Sequence, residues 1–231
     1  MKNKLIRVML LVGALPLMLA MVLSYIQGTK SLENVIGSSF KALAYETATK
    51  IDFIMKEEIN RNTRLAKHPT IILAAKGHNR IIQDLPPEEA EKQLLKEAEL
   101  WAAQDPGMNP LTENAGSRVL KSFLKVETPS NQATRALYIT DAQGTLLSSI
   151  NHYPDYRNAG QDPWEKTIQG GKDYVYVGKI HQSPVDGEYV FQVAIPIRNH
   201  QGRTFGVFHR VYAAKAFFAS FIEPIIFGDT G

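Results

Sequence analysis

The chain contains no cysteine among its 231 residues, which excludes a disulfide framework, a cysteine-ligated zinc site and a thiol nucleophile. It also lacks the short signatures on which enzyme chemistry commonly rests. No Gly-x-Ser-x-Gly elbow, His-Glu-x-x-His helix, phosphate loop or dinucleotide-binding glycine pattern occurs. Gly170-Gly171-Lys172 lacks phosphate-loop spacing and reads as the end of a helix opened at Pro163. The six histidines include no pair at i, i+4 and no carboxylate at ligand spacing, so neither a metal nor a cofactor is expected. Asp155, Asp162 and Glu165 read as solvated or capping carboxylates, so no catalytic residue is assigned. A net charge of +3, with no basic stripe interleaved with aromatics, argues against nucleic acid as a partner.

Two further absences organise the N-terminal third. No charged residue occurs from Val8 to Ile26, a length that crosses a bilayer as a helix. Lys2, Lys4 and Arg7 precede this run and only Lys30 follows closely. Residues 1–7 are therefore expected in the cytoplasm, 8–27 as a transmembrane helix, and the remainder exported. A cleaved signal peptide is the alternative, but the run continues through Ser24-Tyr25-Ile26 without an Ala-x-Ala-like site. From Ser31 to His68 there is no proline and Gly37 is the lone glycine. Leu32, Val35, Ile36, Phe40, Leu43, Ile51, Ile54, Met55, Ile59 and Leu65 recur at helical spacing between charged positions, which predicts one amphipathic helix over 28–68. Such a helix is about 55 Å long at 1.5 Å per residue, the dimension of a stalk, and its apolar stripe predicts pairing with a twin in a homodimer. A helix buried within one domain is the other reading.

Pro69 marks a break. Residues 69–130 read as helical: a short helix from Thr70 to Lys76 before Gly77, and one opening at Pro86-Pro87-Glu88-Glu89 with Leu94, Leu95, Ala98 and Trp101 as its apolar face. The loop Asp105–Pro110 and a helical segment from Ser117 to Val126 follow.

The part around which the chain is organised runs from Ala136 to Tyr212. Four runs rich in Val, Ile, Tyr and Phe (ALYIT, YVYVGKI, YVFQVAIPI and TFGVFHRVY) are punctuated by Asp141-Ala-Gln-Gly144, Asp186-Gly187 and Asn199-His-Gln-Gly202. They predict an antiparallel sheet, within a lobe bounded at 131–213. Tyr189, Phe191, Val193 and Ile195 should share one face and Gln192 the other, with Pro196 ending the register. Within this part, His152 to Trp164 and Tyr174-Val-Tyr176 set aromatic walls beside Arg157, Lys172 and several amides and hydroxyls, the mixture that lines small-ligand pockets. Tyr156, Arg157, Asp162, Trp164, Tyr174, Tyr176 and His181 are the candidate ligand-binding residues. The competing reading makes these aromatics a plug on the sheet.

In order, Leu137-Tyr-Ile-Thr-Asp-Ala-Gln-Gly144, Asp155-Tyr156, Asp162 and Trp164, Tyr176-Val-Gly178, Ala194-Ile-Pro-Ile197, Gly202 and Phe205-Gly-Val207 resemble the extracytoplasmic double-Cache sensor of bacterial receptors, with its PAS-like lobes. The resemblance covers Leu137 to Tyr212, with anchor and stalk agreeing in layout. It implies an α+β fold: a transmembrane helix, a stalk helix, then a membrane-distal antiparallel lobe flanked by helices. Residues 214–231 would be a helix and the start of a connection to a second lobe. It further implies the N-terminal part of a larger receptor in the cell inner membrane, with most of this chain periplasmic or extracellular and a second span downstream. The output would be a sensor histidine kinase; a chemotaxis transducer or diguanylate cyclase is the alternative. An anchored scaffold or chaperone-like protein with no small-molecule site is a reading of another class. In the amino-acid-binding subset, an Arg and an Asp fall where this chain has Gln161 and Ser183. Arg157, Lys172, Lys179 and His181 instead favour a small anion such as a carboxylate.

Overall fold

The computed structural model describes residues 2–83, 86–170, 174–199 and 201–222, and the chain divides into two compact units, Met1–Phe53 and Ile54–Gly231. Lys172 and the passage Glu223–Gly231 lie outside the described residues. Helix α1 (Lys2–Ala66) supplies the described part of the first unit. Its segment from Val12 onward is the one helix, among the described residues, long and apolar enough to cross a membrane. Leu15, Leu17, Leu19 and Leu23 are exposed, as are Leu32, Val35, Ile36 and Phe40 farther along.

In the second unit, residues 54–66 of α1 are followed by α2 (Pro69–Gln83), α3 (Pro87–Ala102), a short 3-10 turn (Pro106–Met108), α4 (Pro110–Glu113), α5 (Ala115–Leu124) and α6 (Pro129–Gln132). Each helix from α2 to α4 takes proline in its first turn, where the missing N–H has no intrahelical partner to lose. Asn114 caps α5 by accepting from the Ser117 amide at 2.9 Å. Three local expectations are corrected. Helix α2 runs through Gly77, because Ile71 and Ala75 bury its apolar side and one interior glycine costs only about 1 kcal/mol. The buried stripe of α3 is Ala90, Leu94 and Trp101, while Leu95 is 49% exposed. The supposed loop Asp105–Pro110 folds as the 3-10 turn, with Met108 buried.

The sheet consists of β1 (Thr134–Asp141), β2 (Leu146–Ser149), β3 (Tyr176–Val177), β4 (His181–Gln182), β5 (Tyr189–Arg198) and β6 (Thr204–Ala213), all antiparallel. Its order is β2-β1-β6-β5-β3, with β4 also on β5. Helix α7 (Asp162–Gln169) lies between β2 and β3 in sequence, and α8 (Ala214–Ile222) follows β6. Pro196 does not end the register: β5 continues to Arg198, with Pro196 opposite Val207. Among the described residues β3 pairs with Val193 and Ala194, and Pro196 sits past that edge pairing, where its missing amide proton leaves no ladder bond to β3 unmade.

Strand alternation divides the side chains between two covered faces. On one face Leu137, Ile139, Phe191, Val193, Ile195, Ile197, Phe208 and Tyr212 pack against Leu65 of α1, Ile71 and Ala75 of α2, Leu120 of α5 and Phe217 of α8. On the other, Ala136, Tyr138, Leu146, Val190 and Val211 pack with Tyr156 and with Ala90, Leu94 and Trp101 of α3. Tyr189, at the same parity as Phe191, is 61% exposed at the start of β5.

Candidate functional site

The Asp-x-x-Gly turn between β1 and β2 fixes the loop that follows. Asp141 Oδ1 accepts from the amides of Gln143 and Thr145 at 2.9 and 2.8 Å, closing the turn on itself. Gly144 has φ +82°, and a Cβ there would lie 2.4 Å from the Ala159 nitrogen, so both its conformation and its neighbour demand glycine. The loop can therefore lie against the turn: Leu146 N donates to Tyr156 O at 2.8 Å and Asn158 N to Gly144 O at 2.7 Å. Trp164 at the head of α7 is half-buried and donates its indole N–H to Asp141 O at 3.3 Å.

Beneath this loop a chain of polar groups, buried except for the half-buried Gln192, crosses the sheet. Gln192 Nε2 donates to the Tyr138 hydroxyl at 3.0 Å and to His209 Nδ1 at 3.0 Å. His209 Nε2 meets Thr140 Oγ1 at 3.1 Å, and Thr140 Oγ1 in turn donates to Val207 O at 3.4 Å. Tyr138 donates to Asn158 Oδ1 at 3.2 Å, and Asn158 Nδ2 to Asp155 O at 2.9 Å. With Gln192 as donor, Nδ1 of His209 accepts and Nε2–H donates, which is the neutral imidazole. Burial enforces that state by lowering the His209 pKa to about 3. The ring also stacks on Tyr138, with centroids 4.6 Å apart and planes 6° from parallel, and burial pushes the Tyr138 phenol up. The network thus links β5 and β6 to the loop through hydrogen bonds whose donors and acceptors match.

The loop and α3 enclose a cavity of about 300 Å³, lined by Ala98, Trp101, Ala102, Gln104 and residues 152–157. Trp101 supports it from below: its Nε1 donates to Pro154 O at 2.8 Å, and its ring stacks on His152 at 4.2 Å. Nδ1 of His152 is buried without a partner among the described residues.

Two candidate residues line this cavity. Tyr156 is buried and donates its hydroxyl to Glu97 of α3; burial first, then that contact, raises its pKa. Arg157 holds Glu91 of α3 in a two-pronged pair, Nη1–Oε1 2.7 Å and Nη2–Oε2 3.3 Å. The remaining five lie elsewhere. Asp162 is exposed and paired with Lys166 at 2.6 Å. Tyr176 on β3 carries the Lys166 ammonium 5.8 Å from its ring centre, and its phenol is raised by burial. Trp164 stands at the β1–β2 turn. Tyr174 lines a different cavity, of about 430 Å³, with Thr63, Lys67 and Arg198. His181 is exposed on β4, its Nδ1 3.1 Å from Lys179 O. Gln161 bonds to Asp155 at 2.9 Å, and Ser183, buried, to the Tyr153 hydroxyl at 2.9 Å. Tyr138, Asn158, Gln192 and His209 were not among the candidates. The available signal was polar side chains at one parity of strands that are otherwise apolar. Among the described residues no group of three or more His, Asp or Glu is placed to hold a metal ion.

No protein-family model matches the chain, and no curated protein matches it. Its fold is similar to that of the E. coli DcuS sensor domain, at 16% identity and a TM-score of 0.42, over 76% of this chain and 98% of that one. It is also similar to the ligand-binding domain of the Pseudomonas aeruginosa amino acid chemoreceptor PctC solved with GABA (15% identity, TM-score 0.40, 81% of this chain, 64% of that). A third is the V. cholerae histidine kinase DctB sensor domain (19%, TM-score 0.36, 74% and 60%). The chain spans less than two thirds of the latter two structures.

Proposed function

We propose that this chain is the extracytoplasmic ligand-sensing input module of a membrane-anchored receptor whose output is a sensor histidine kinase. The observation that carries the reading is the cavity under α3, whose loop is joined to the sheet by the Asn158, Tyr138, Gln192 and His209 network. At about 300 Å³ the cavity sits at the small end of ligand pockets and suits a molecule of a few carbons. Its ligand is a small carboxylate. Arg157 is engaged by the Glu91 carboxylate in the geometry a ligand carboxylate would adopt, so binding is an exchange of one carboxylate for another. Tyr156 flanks this contact. Trp164 and Tyr176 brace α7 against the sheet and Asp162 pairs with Lys166 within α7, while Tyr174 and His181 stand apart from this cavity. Ligand acts on the stalk only through a difference in affinity between two arrangements of the lobe. The module works as a dimer paired along the stripe of Leu32, Val35, Ile36 and Phe40.

The test is a melting screen of mono- and dicarboxylates and amino acids on the purified membrane protein, followed by calorimetry. Arg157→Ala should weaken a carboxylate by about ten- to a hundred-fold, the value of a hydrogen-bonded charge. Glu91→Gln should tighten it by removing the competitor. Unchanged affinity in Arg157→Ala refutes the anion contact. If no small molecule raises the melting temperature, the anchored scaffold becomes the better reading.

A further inference from the structure

His209 and Arg210 are neighbours on β6, and a strand sends successive side chains to opposite faces. His209 points into the network below the loop; Arg210 points to the face on which α1 packs, and both are fully buried. The Arg210 guanidinium is saturated. Nη1 donates to Glu58 Oε1 at 2.5 Å and to Asn62 Oδ1 at 2.9 Å, both on α1. Nη2 reaches Asn131 Oδ1 at 2.8 Å and Ser130 O at 3.0 Å, and Nε reaches Thr134 Oγ1 at 3.1 Å. Tyr212, on the same face two residues along, donates to Glu58 Oε1 at 2.9 Å and accepts from Asn62 Nδ2 at 2.7 Å. Glu58 and Asn62, one helical turn apart, are 4% and 0% exposed.

A buried ion pair is a poor device for stability alone. Desolvating both charges offsets their attraction, and apolar residues of similar volume often serve as well or better. What a guanidinium adds is direction, because its N–H groups form a rigid planar fork that accepts one arrangement of partners. Leucine contacts tolerate a small slide of a helix, whereas these hydrogen bonds do not.

We propose that Arg210 is a positioning residue that sets the register of α1 on β6, so that a change in the network on one face of that strand reaches the helix on the other. The coupling deepens the sensor reading, on which it rests for the source of the change. The helix it holds, α1, is the one that carries the apolar segment from Val12.

The experiment is ligand-free amide hydrogen exchange on the full membrane protein. Gln192→Leu removes both network bonds that Gln192 donates. It should speed exchange of residues 54–66 of α1 by about tenfold relative to α8, which packs on the same face through Phe217. Combining it with Glu58→Met and Arg210→Met, an apolar replacement of the pair, should abolish this selective response. Should that background not fold, Arg210→Lys keeps the charge without the fork and should also abolish it. Uniform acceleration over the whole unit, no acceleration of 54–66, or an equal response in both backgrounds overturns the proposal. No ligand enters the measurement, so its failure leaves the sensor reading standing. A failed carboxylate screen, conversely, leaves the relay intact.

Discussion

The neutral state of His209 gives a pH dependence whose size follows from its surroundings. The ring is fully buried, accepts at Nδ1 from Gln192 and donates at Nε2 toward Thr140. A proton added at Nδ1 would face the Gln192 N–H and be stranded without solvent. The folded pKa is accordingly lowered to about 3, against about 6.5 in the unfolded chain. The unfolded state therefore binds a proton that the folded state refuses. Stability contributed by this residue is fully present above about pH 6.5 and is lost as pH falls toward 3. Between pH 7 and pH 5 the loss is about 2 kcal/mol, and below pH 6 the slope approaches about 1.4 kcal/mol per pH unit. The assay is denaturant unfolding in mild detergent followed by tryptophan fluorescence. Both tryptophans, Trp101 and Trp164, lie in the second unit, so the signal reports on that unit. The comparison is His209→Gln, whose amide retains a donor and an acceptor but does not titrate. The variant should be less stable at pH 7 yet show a pH profile shallower by about 2 kcal/mol over the same interval. Parallel losses in parent and variant would mean that His209 is not the responsible group.

Reporter fusions at Gly77 and Gly144 should both show export, and cytoplasmic-type activity at both would sink the anchor reading. Single cysteines at Leu32, Val35, Ile36, Ser39 and Phe40 should crosslink with helical periodicity, the apolar positions ahead of Ser39; absent or uniform crosslinking refutes a parallel stalk pair. Gly206→Ala places a Cβ 2.0 Å from the Thr140 carbonyl oxygen, between paired strands, and should lower the melting temperature severely or prevent folding. Gly187→Ala, at φ +73° with nothing within 4 Å, should cost only the left-handed strain of about 1–2 kcal/mol. Equal losses in the two variants would show that close strand approach is not what Gly206 provides.

What the sequence determined by itself was short-ranged. The uncharged run from Val8 to Ile26, the proline at the head of α3, the Asp141–Gly144 turn and the alternation along β5 each depend on residues a few positions apart, so propensity and spacing suffice to read them. The α+β order of a long apolar helix followed by an antiparallel sheet was legible for that reason. The departures arose where tertiary packing outweighed a local rule: burial of Ile71 and Ala75 carries α2 past Gly77, and the pairing of β5 with β6 carries the strand past Pro196. The arrangement of polar groups was decided by tertiary structure alone. Arg157 finds Glu91 at 66 residues' separation, His209 finds Thr140 at 69, and Arg210 finds Glu58 at 152. Whether an arginine becomes a ligand contact, a surface pair or a buried clamp depends on which face strand register gives it and which helix then packs there. A charged or polar group removed from water must be met by partners of matching geometry, and only the folded chain brings those partners within hydrogen-bond distance.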